Sequence, residues 1–378
     1  MKYFDYAATT PLDLEAAETY VKAATEYYGN SGSLHHVGST AKDILENCRQ
    51  EWANLLDVFK EGIYFTSGGS ESNHLGIHAL LSAKRKKGFH IISSMAEHSS
   101  IQSTLKALSL QNYEITLLPL NNNGRIDLQK LKAATRKDTV LIAVQHGNSE
   151  IGSLQPIEEI GAWCKEQNIL FHSDCVHTMC KIDLTRIAKI VDSFAISSHK
   201  FYGPKGIGAV YVNPKHAWKS YYPGTTHESG FRPGTLNLPA IAAMTVAAQK
   251  GISQQDELFN HAKKLRDLLL TTMDEVKDFL TIYSSDEIHQ LPHTLALRIN
   301  GMEGQWVMLE CNRLGFAIST GSACQTGLTS PSKTMVAMGV PEKMAKELIR
   351  ISFGRDTTEQ DVIALGNALV NIIHNKQR

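Results

Sequence analysis

The sequence has no long hydrophobic run and no excess of charge of either sign. No stretch reaches the roughly 18 to 20 apolar residues that a membrane-spanning helix requires. The opening MKYFDYAATTPLD contains neither the apolar run nor the basic leader of a signal peptide. The 38 basic side chains balance the 38 acidic ones, so the charge gives no reason to expect nucleic acid or an anionic membrane as a partner. We therefore expect a cytoplasmic protein.

The cysteines are scattered along the chain, and no two of them form a CxxC pair. A disulfide framework and a structural zinc site are therefore not expected, and we predict no resident metal. Most of the cysteines are expected to be reduced, buried side chains that behave as small hydrophobes. Cys324 differs, because the surrounding GSACQTGLTSPSKT is rich in Gly, Ser and Thr and is typical of a solvated, mobile loop.

Short β-rich apolar runs alternate with amphipathic stretches from about residue 60 onward. The strand-like runs are GIYF, HIIS, YEITLLPL, TVLIAV, NILFH, SFAIS and GAVYV, and helical patterns such as ESNHLGIHALLSAK and IEEIGAWCKEQ lie between several of them. This alternation predicts an α/β fold with a parallel or mixed sheet covered by helices.

The chain is long enough for more than one domain, at 378 residues. A long helical pattern from Leu238 to about Val276, interrupted at GISQQ, is a plausible bridge between two domains. We predict a large α/β domain at residues 13–254, and a smaller α+β domain formed by residues 1–12 and 255–378 that carries the Cys324 loop.

Polar residues follow five of the predicted strands. The glycine-rich TSGGSESN, with Ser70, follows the first strand, and the others are followed by His98, by Asn148, by Asp174 and His177, and by Ser198, His199 and Lys200. In an open α/β sheet, ligands bind beyond the carboxyl ends of the strands, so these side chains are expected to share one site.

Each of these residues alone has an ordinary explanation. Lys200 could be a surface lysine in the turn SSHKFYGPKGIG, Asp174 a helix cap and Asn148 a turn residue. Together, however, they offer a phosphate cradle, an imidazole, an amide, a carboxylate and an amine. Pyridoxal phosphate requires this combination: backbone amides for its phosphate, a flat partner for its ring, a carboxylate for its ring nitrogen and a lysine for its aldehyde.

The motifs resemble those of the cysteine desulfurases, within the class V aminotransferase group of fold type I pyridoxal-phosphate enzymes. The matching segments are FTSGGSESN, AEH, GNSEIG, HSDCVHT and SSHKFYGPKGIG in the sheet region, and YFDYAATTP, GNSGSLHHVG, HESGFRPGTLN, STGSAC and RISFGR outside it. The resemblance covers essentially the whole chain. It implies a large domain with a mostly parallel seven-stranded sheet, a smaller α+β C-terminal domain, and pyridoxal 5′-phosphate as the cofactor.

The resemblance also implies a role for individual residues. Lys200 would form the imine with the cofactor and move the proton, and His98 would stack on the ring and act as acid or base. Asp174 would pair with the ring nitrogen, and Arg350 would bind the substrate carboxylate. The remaining implied contacts are Asn148 and His177 to the ring oxygen side, Asn148 also to substrate, Gly69, Ser70, Ser197 and His199 to phosphate, and Thr235 to phosphate from a second subunit.

Cys324 is implied to be the nucleophile that takes sulfur from L-cysteine, leaves L-alanine and carries the sulfur as a persulfide. The loop resembles that of the longer-loop branch, so Cys324 is expected to deliver sulfur to an acceptor protein, and it could ligate an iron–sulfur cluster transiently. The acceptor pathways that this implies are iron–sulfur cluster biogenesis, other sulfur-containing cofactors and tRNA thiolation. A homodimer is implied as well.

The chain departs from the pattern of the resembling family at four places. His177 stands where glutamine is usual, which predicts a contact that depends on protonation. Thr225, Thr226 and His227 replace a run rich in glycine and glutamine, and GNSGS lacks the customary proline. The chain stops at IIHNKQR without the longer tail of some relatives, which favours a dedicated client as the acceptor.

Two other functions stay open on the sequence. A selenocysteine lyase or another class V enzyme would use the same cofactor on a different substrate, and a dispensable Cys324 would favour it. A structural or regulatory homologue without cofactor would not need Lys200 and Asp174. Both residues are present, which argues against this alternative.

Overall fold

The computed structural model describes residues 1–84, 86–321 and 331–377. Its strands are β1 Lys2–Tyr3, β2 Ile63–Thr66, β3 His90–Ser94, β4 Glu114–Leu118, β5 Thr139–Ala143, β6 Leu170–Asp174, β7 Ser193–Ser197, β8 Gly208–Val212, β9 Leu280–Tyr283, β10 Thr294–Ile299, β11 Phe316–Ala317 and β12 Leu348–Ser352. Its α-helices are α1 Leu14–Glu26, α2 His36–Leu56, α3 Gly69–Ser82, α4 Ser99–Ser109, α5 Leu128–Ala134, α6 Ile157–Glu166, α7 Thr185–Ile190, α8 Leu238–Ser253, α9 Gln255–Thr272, α10 Gly304–Arg313, α11 Lys333–Ala337, α12 Glu342–Ala345 and α13 Glu359–Gln377. Within these ranges, no helix combines the length and apolar character that crossing a membrane requires.

The large sheet has seven strands in the order β2-β8-β7-β6-β5-β3-β4. Strands β7, β6, β5, β3 and β4 run parallel, and β8 runs antiparallel to both β7 and β2. Every residue of β5, β6 and β7 is buried, because helices cover both faces of the sheet. This confirms the predicted α/β fold with a mostly parallel sheet.

A second sheet is antiparallel, has the order β12-β10-β9, and has its own hydrophobic cluster. Leu297 on β10, Ile349 on β12 and Leu369 on α13 are fully buried in that cluster. Other apolar side chains pack on the two faces of the large sheet and form separate clusters. The division of the chain at residues 12 and 254 stays a prediction.

The N-terminal segment that follows β1 contacts both sheets. The backbone amide of Ala7 donates to Ser352 Oγ (2.9 Å) at the end of β12. The backbone amide of Thr10 donates to the carbonyl of His199 (2.9 Å), just beyond β7. The segment therefore connects the end of the small sheet to the carboxyl end of the large one.

Asp13 joins three parts of the fold through one buried carboxylate. Its Oδ1 caps α1 by accepting from the amides of Glu15 (2.9 Å) and Ala16 (3.3 Å). Its Oδ2 accepts from Lys250 on α8 (2.9 Å) and from Arg355 beyond β12 (2.5 Å). Burial raises the pKa of the Asp13 carboxyl, but these hydrogen bonds outweigh it and lower the pKa from 3.8 to about 2.

Replacement of Asp13 by Asn should lower the free energy of unfolding at pH 7 by about 2 kcal/mol, because the charged carboxylate is more stable in the folded protein than in the unfolded chain. The folded-state pKa lies below the unfolded one, so the contribution is complete above about pH 4 and is lost as the pH falls toward 2. Urea denaturation should therefore show a difference at pH 3 that is about half of that at pH 7.

The control is Glu158→Gln, which removes an exposed ion pair with Arg186 and should change stability little at either pH. An Asp13→Asn effect of equal size at pH 7 and pH 3 would show that the carboxylate charge is not what stabilises this junction.

Candidate active site

A pocket of about 350 Å³ lies at the carboxyl ends of the parallel strands. This is where ligands bind in open α/β sheets, because loops and helix N-termini converge there. The lining brings together most of the residues predicted from the sequence: Gly69, Ser70, His98, Asp174, His177, Ser197, His199 and Lys200. They come from segments that follow four different strands.

Lys200 lies in a 3-10 turn, Ser198–Lys200, that directly follows β7. Its ammonium donates to the carbonyls of Ala7 (2.6 Å) and Ala8 (2.8 Å) in the N-terminal segment. Because Ala8 also lines the pocket, these carbonyls hold the lysine amine at the wall of the pocket.

Asp174 is the last residue of β6, and its carboxylate is only 6% exposed. Its Oδ1 accepts from the amide of Val176 (2.9 Å), and its Oδ2 accepts from Asn73 Nδ2 (2.8 Å). These two bonds determine the orientation of the carboxylate in the pocket. A buried carboxylate with donors of this kind is suited to pair with a protonated ring nitrogen.

Asn73, on the second turn of α3, is a positioning residue that sequence reasoning missed. Its amide nitrogen also donates to Ser100 Oγ (3.0 Å), and its oxygen lies 3.0 Å from His172 Nε2. Burial lowers the pKa of His172 to about 3, so the neutral imidazole is the form that donates to Asn73. The available signal was the polar residue at the end of TSGGSESN, at a helix position that turns out to be buried.

His98 is the N-cap of α4 and presents its ring to the pocket. Its Nδ1 accepts from the amide of Ser100 (3.2 Å). The preceding Glu97, also missed, is 2% exposed; it accepts from Ser94 Oγ (2.5 Å) and from the amide of Gln145 (2.9 Å). Burial raises the pKa of Glu97 to about 8. Glu97 thus connects the turn that carries His98 to the segment that follows β5.

The N-terminus of α3 forms a close-packed cradle against β7. A Cβ on Gly69 would come within 2.8 Å of Val176 Cγ2 and 3.3 Å of Ser197 Cβ, so a larger residue would fill this space. Gly68 has a φ of 148°, in the region that favours glycine. Free amides at the start of a helix of this length attract phosphate, and Ser70 is exposed beside them.

His199 directly precedes Lys200 in the same 3-10 turn and also lines the pocket. Its Nδ1 lies 3.2 Å from Thr9 Oγ1. Burial and the charges of Lys200 and Lys205 lower its pKa to about 4, so a neutral imidazole faces the pocket.

Asn148 and Arg350 lie next to the pocket, but other protein groups occupy their polar atoms. Asn148 donates to Thr334 Oγ1 (3.0 Å) and accepts from the amides of Glu150 and Ile151 (both 2.9 Å). Arg350, only 3% exposed, donates to the Ser149 carbonyl (3.0 Å) and to Asp5 Oδ1 (2.7 Å). Its Nε is buried and has no partner among the described residues.

Two further predicted residues have no described position in the pocket. Thr235 is exposed, precedes α8 and is not among the lining residues. Cys324 lies outside the residues that the structure describes. The roles predicted for both stay predictions.

His177 lines the pocket, and its environment differs from the one expected from sequence. Burial, together with the positive charges of Lys200 and Lys181, holds the pKa of His177 well below its usual range. The imidazole is therefore neutral near pH 7. The contact that was expected to depend on protonation should behave instead like the amide contact of a glutamine, which also offers a neutral donor.

The comparisons with known proteins agree with this geometry. Residues 2–365 match the family model described as aminotransferase class-V. The NifS protein of Bacillus subtilis (strain 168) is 43% identical over 96% of this chain and 92% of its own length. The cysteine desulfurase IscS of Neisseria meningitidis serogroup C / serotype 2a (strain ATCC 700532 / DSM 15464 / FAM18) is 37% identical over 95% of this chain and 89% of its own. A solved structure titled NIFS-like protein covers 99% of both chains with a TM-score of 0.91 and 29% identity.

The chain belongs to the aminotransferase class-V family of pyridoxal-phosphate-dependent enzymes. Within that family it belongs to the cysteine desulfurases.

The pocket residues fit pyridoxal 5′-phosphate. The cradle at Gly69, which a Cβ would fill, and the amides at the start of α3 suit a phosphate. Asp174 presents a buried carboxylate for the ring nitrogen, the His98 ring lines the same pocket, and the Lys200 amine lies at its wall. These donors and acceptors match those of the cofactor group by group.

Replacement of His177 by Gln should leave the pH dependence of the bound cofactor's absorbance unchanged from about pH 6 to 9, because the imidazole takes no proton there. The measurement is an absorbance titration of both holoproteins, with the exposed His36→Gln as the control. A titration step near pH 6.5 that is present in the wild type and absent only from His177→Gln would contradict the neutral assignment.

Replacement of Asn73 by Ala should weaken cofactor binding about tenfold, because Asp174 loses one donor and is less well oriented. The measurement is titration of the apoprotein with pyridoxal phosphate, followed by absorbance. The control Asn375→Ala changes an exposed residue on α13. Equal affinities of the two variants would show that Asn73 does not position Asp174 for the cofactor.

Proposed function

We propose that this protein is a cysteine desulfurase that converts L-cysteine to L-alanine and passes the sulfur, as a persulfide on Cys324, to an acceptor protein. The observation that carries the proposal is the convergence of Lys200, Asp174 and His98 on one pocket at the carboxyl ends of the sheet. Membership of the cysteine desulfurases supports the choice of reaction.

Bound pyridoxal phosphate would supply an electron sink that stabilises negative charge at the substrate α-carbon. Asp174 would hold its ring nitrogen protonated, since the carboxylate is oriented by Asn73 and by the Val176 amide. Gly69, Ser70, Ser197 and His199 would bind its phosphate at the start of α3. The His98 ring would lie against the cofactor ring, and neutral His177 would contact the ring oxygen.

The amine of Lys200 would carry the proton of the substrate α-carbon. The N-terminal carbonyls of Ala7 and Ala8 now accept from this amine, so they keep it within the pocket when it is not bonded elsewhere. The Cys324 thiolate would attack the substrate sulfur: an S–S bond forms and the C–S bond breaks, with its electron pair kept by carbon. Protonation of that carbon, together with return of the α-carbon proton by Lys200, completes L-alanine.

Arg350 would bind the substrate carboxylate, and Asn148 would assist it. Both are placed at the edge of the pocket, since the Ser149 carbonyl that accepts from Arg350 belongs to a lining residue. Because Arg350 is paired with Asp5 (2.7 Å), substrate binding would require the guanidinium to share or exchange that carboxylate. With this exchange, the Arg350 guanidinium has a carboxylate partner both without and with bound substrate.

A homodimer is part of the proposal. Large apolar side chains are exposed on α1 and on the segment before α2, including Leu14 (80%), Tyr28 (72%) and Leu34 (fully exposed). Patches of this kind mark protein–protein interfaces. Thr235, which is not among the lining residues of its own pocket, would contact the phosphate in the second subunit.

The acceptor is proposed to be a dedicated client protein in the cytoplasm, reached by the Cys324 loop. It could serve iron–sulfur cluster assembly, where Cys324 could ligate a cluster transiently, or tRNA thiolation or another sulfur-containing cofactor. Mass spectrometry of captured acceptors after turnover with isotopically labelled cysteine would identify the client.

Replacement of Cys324 by Ser should leave cofactor binding intact and abolish the release of sulfide from L-cysteine, because the thiolate that takes the sulfur is missing. The measurements are cofactor absorbance, L-alanine formation and sulfide release with a thiol reductant. After one turnover of wild-type protein, mass spectrometry should find the extra sulfur on Cys324, and borohydride reduction should attach the cofactor to Lys200.

The matched controls are Cys311→Ser, a buried cysteine, and Lys205→Ala in the same turn as Lys200. Sulfur found on Cys175 or Cys311, or full sulfide release by Cys324→Ser, would contradict the proposal. Activity of Cys324→Ser on selenocysteine alone would favour a selenocysteine lyase instead, and a purified protein that binds no pyridoxal phosphate would favour a homologue without cofactor.

A further inference from the structure

A second, smaller cavity of about 40 Å³ adjoins Lys200 on the side of the small sheet. Its walls are mainly apolar, with Met179, Phe201, Leu258 and Phe353 among them. It differs from the cofactor pocket in size and in lining, although Lys200 borders both. The lining residues include no aspartate or glutamate.

Lys181 lines this cavity and has no compensating charge. Among the described residues its ammonium makes no hydrogen bond and no ion pair, whereas other lysines of this fold, such as Lys189, Lys250 and Lys263, pair with a carboxylate. Burial opposes its protonation, and the nearby positive charge of Arg350 opposes it further, so the pKa of Lys181 falls to about 8. Lys181 is half-buried, and an ammonium that is partly removed from water and has no partner is stabilised by a nearby anion.

His293 adds a second unused group to the same cavity. Its side chain is 7% exposed, and its Nδ1 is buried without a hydrogen-bond partner among the described residues. Burial and the charge of Lys181 lower the pKa of His293 to about 3. The ring is therefore neutral, and its one N–H can lie on the nitrogen that faces the cavity.

Other polar side chains of the lining already have protein partners. Thr10 donates to the His199 carbonyl, and Ser352 donates to the Phe4 carbonyl. Arg355 pairs with Asp13, and Lys200 donates to two backbone carbonyls. Among the described lining residues, Lys181 and His293 are the ones whose side-chain nitrogens make no hydrogen bond to protein.

We propose that this cavity binds a single monovalent anion of chloride size, held by the Lys181 ammonium and the His293 N–H. Two features of the site select this class of ligand. The small space of about 40 Å³ favours a single small ion over a larger organic anion. The apolar walls favour a weakly hydrated ion with few partners, and the absence of acidic lining residues excludes a cation.

The bound anion keeps Lys181 protonated without an ion pair from the protein. It also reduces the repulsion between neighbouring cations, since Lys181 lies close enough to Arg350 for their charges to act on one another. Occupancy therefore stabilises the junction between the small sheet and the segment that holds Lys200. This inference rests on the lining of the cavity and is independent of the proposed reaction.

The first test is the thermal stability of the holoprotein in sodium chloride or bromide, against gluconate at equal ionic strength. Raising halide to about 0.3 M should raise the Tm of wild-type protein by about 2 °C or more, because the ion binds only the folded state. Lys181→Met and His293→Phe should lose the response. Lys219→Met, the same substitution at an exposed lysine, should keep it.

The second test requires no variant: crystals of wild-type holoprotein in bromide should show an anomalous peak in the cavity between Lys181 and His293. The absence of a peak would overturn the proposal, as would a Tm response of Lys181→Met equal to that of Lys219→Met. Because neither measurement uses L-cysteine, a negative result in either would not count against the proposed reaction. Conversely, a lack of enzymatic activity in the wild-type protein would not count against the anion site.

Discussion

The hydrogen bonds from Lys200 to the carbonyls of Ala7 and Ala8 connect the reactive amine to the rest of the fold. Those carbonyls are themselves held in place, because Ala7 donates to Ser352 at the end of β12. The amine at the carboxyl end of the large sheet is therefore positioned by a strand end of the small one. A lysine side chain has high rotamer entropy, and two backbone acceptors confine it without adding a carboxylate that would neutralise it.

The same junction concentrates positive charge near the pocket. Burial, together with the charges of Lys200, Lys181 and Arg350, keeps the imidazole of His177 neutral, and His199 and His293 are neutral for similar reasons. Carboxylates lie there too: Asp174 lines the pocket, and Asp5 pairs with Arg350. Such a field favours anionic ligands, which agrees with a cofactor phosphate, a substrate carboxylate and a small anion in the adjoining cavity.

Buried polar networks give the pocket its shape. The chain of hydrogen bonds from His172 through Asn73 to Asp174 satisfies each buried group, and the bonds of Glu97 to Ser94 and Gln145 do the same for the turn before His98. A partner removed from either network would leave a buried group unsatisfied. The orientation of Asp174 and His98 thus depends on residues that touch no ligand themselves.

The sequence alone determined the order of strands and helices and the chemistry at each strand end. Apolar runs of period two and small residues before helices are local signals, so Lys200, Asp174 and His98 could be placed at one edge of a sheet before any contact was known. Asn73 and Glu97 could not be recognised, because their roles arise from partners distant in the chain. Only the tertiary structure decided that Asn148 and Arg350 bond to other protein groups, that His177 is neutral, and that Lys181 and His293 line the same cavity. These properties depend on burial and on charges brought together by folding, which local sequence patterns do not encode.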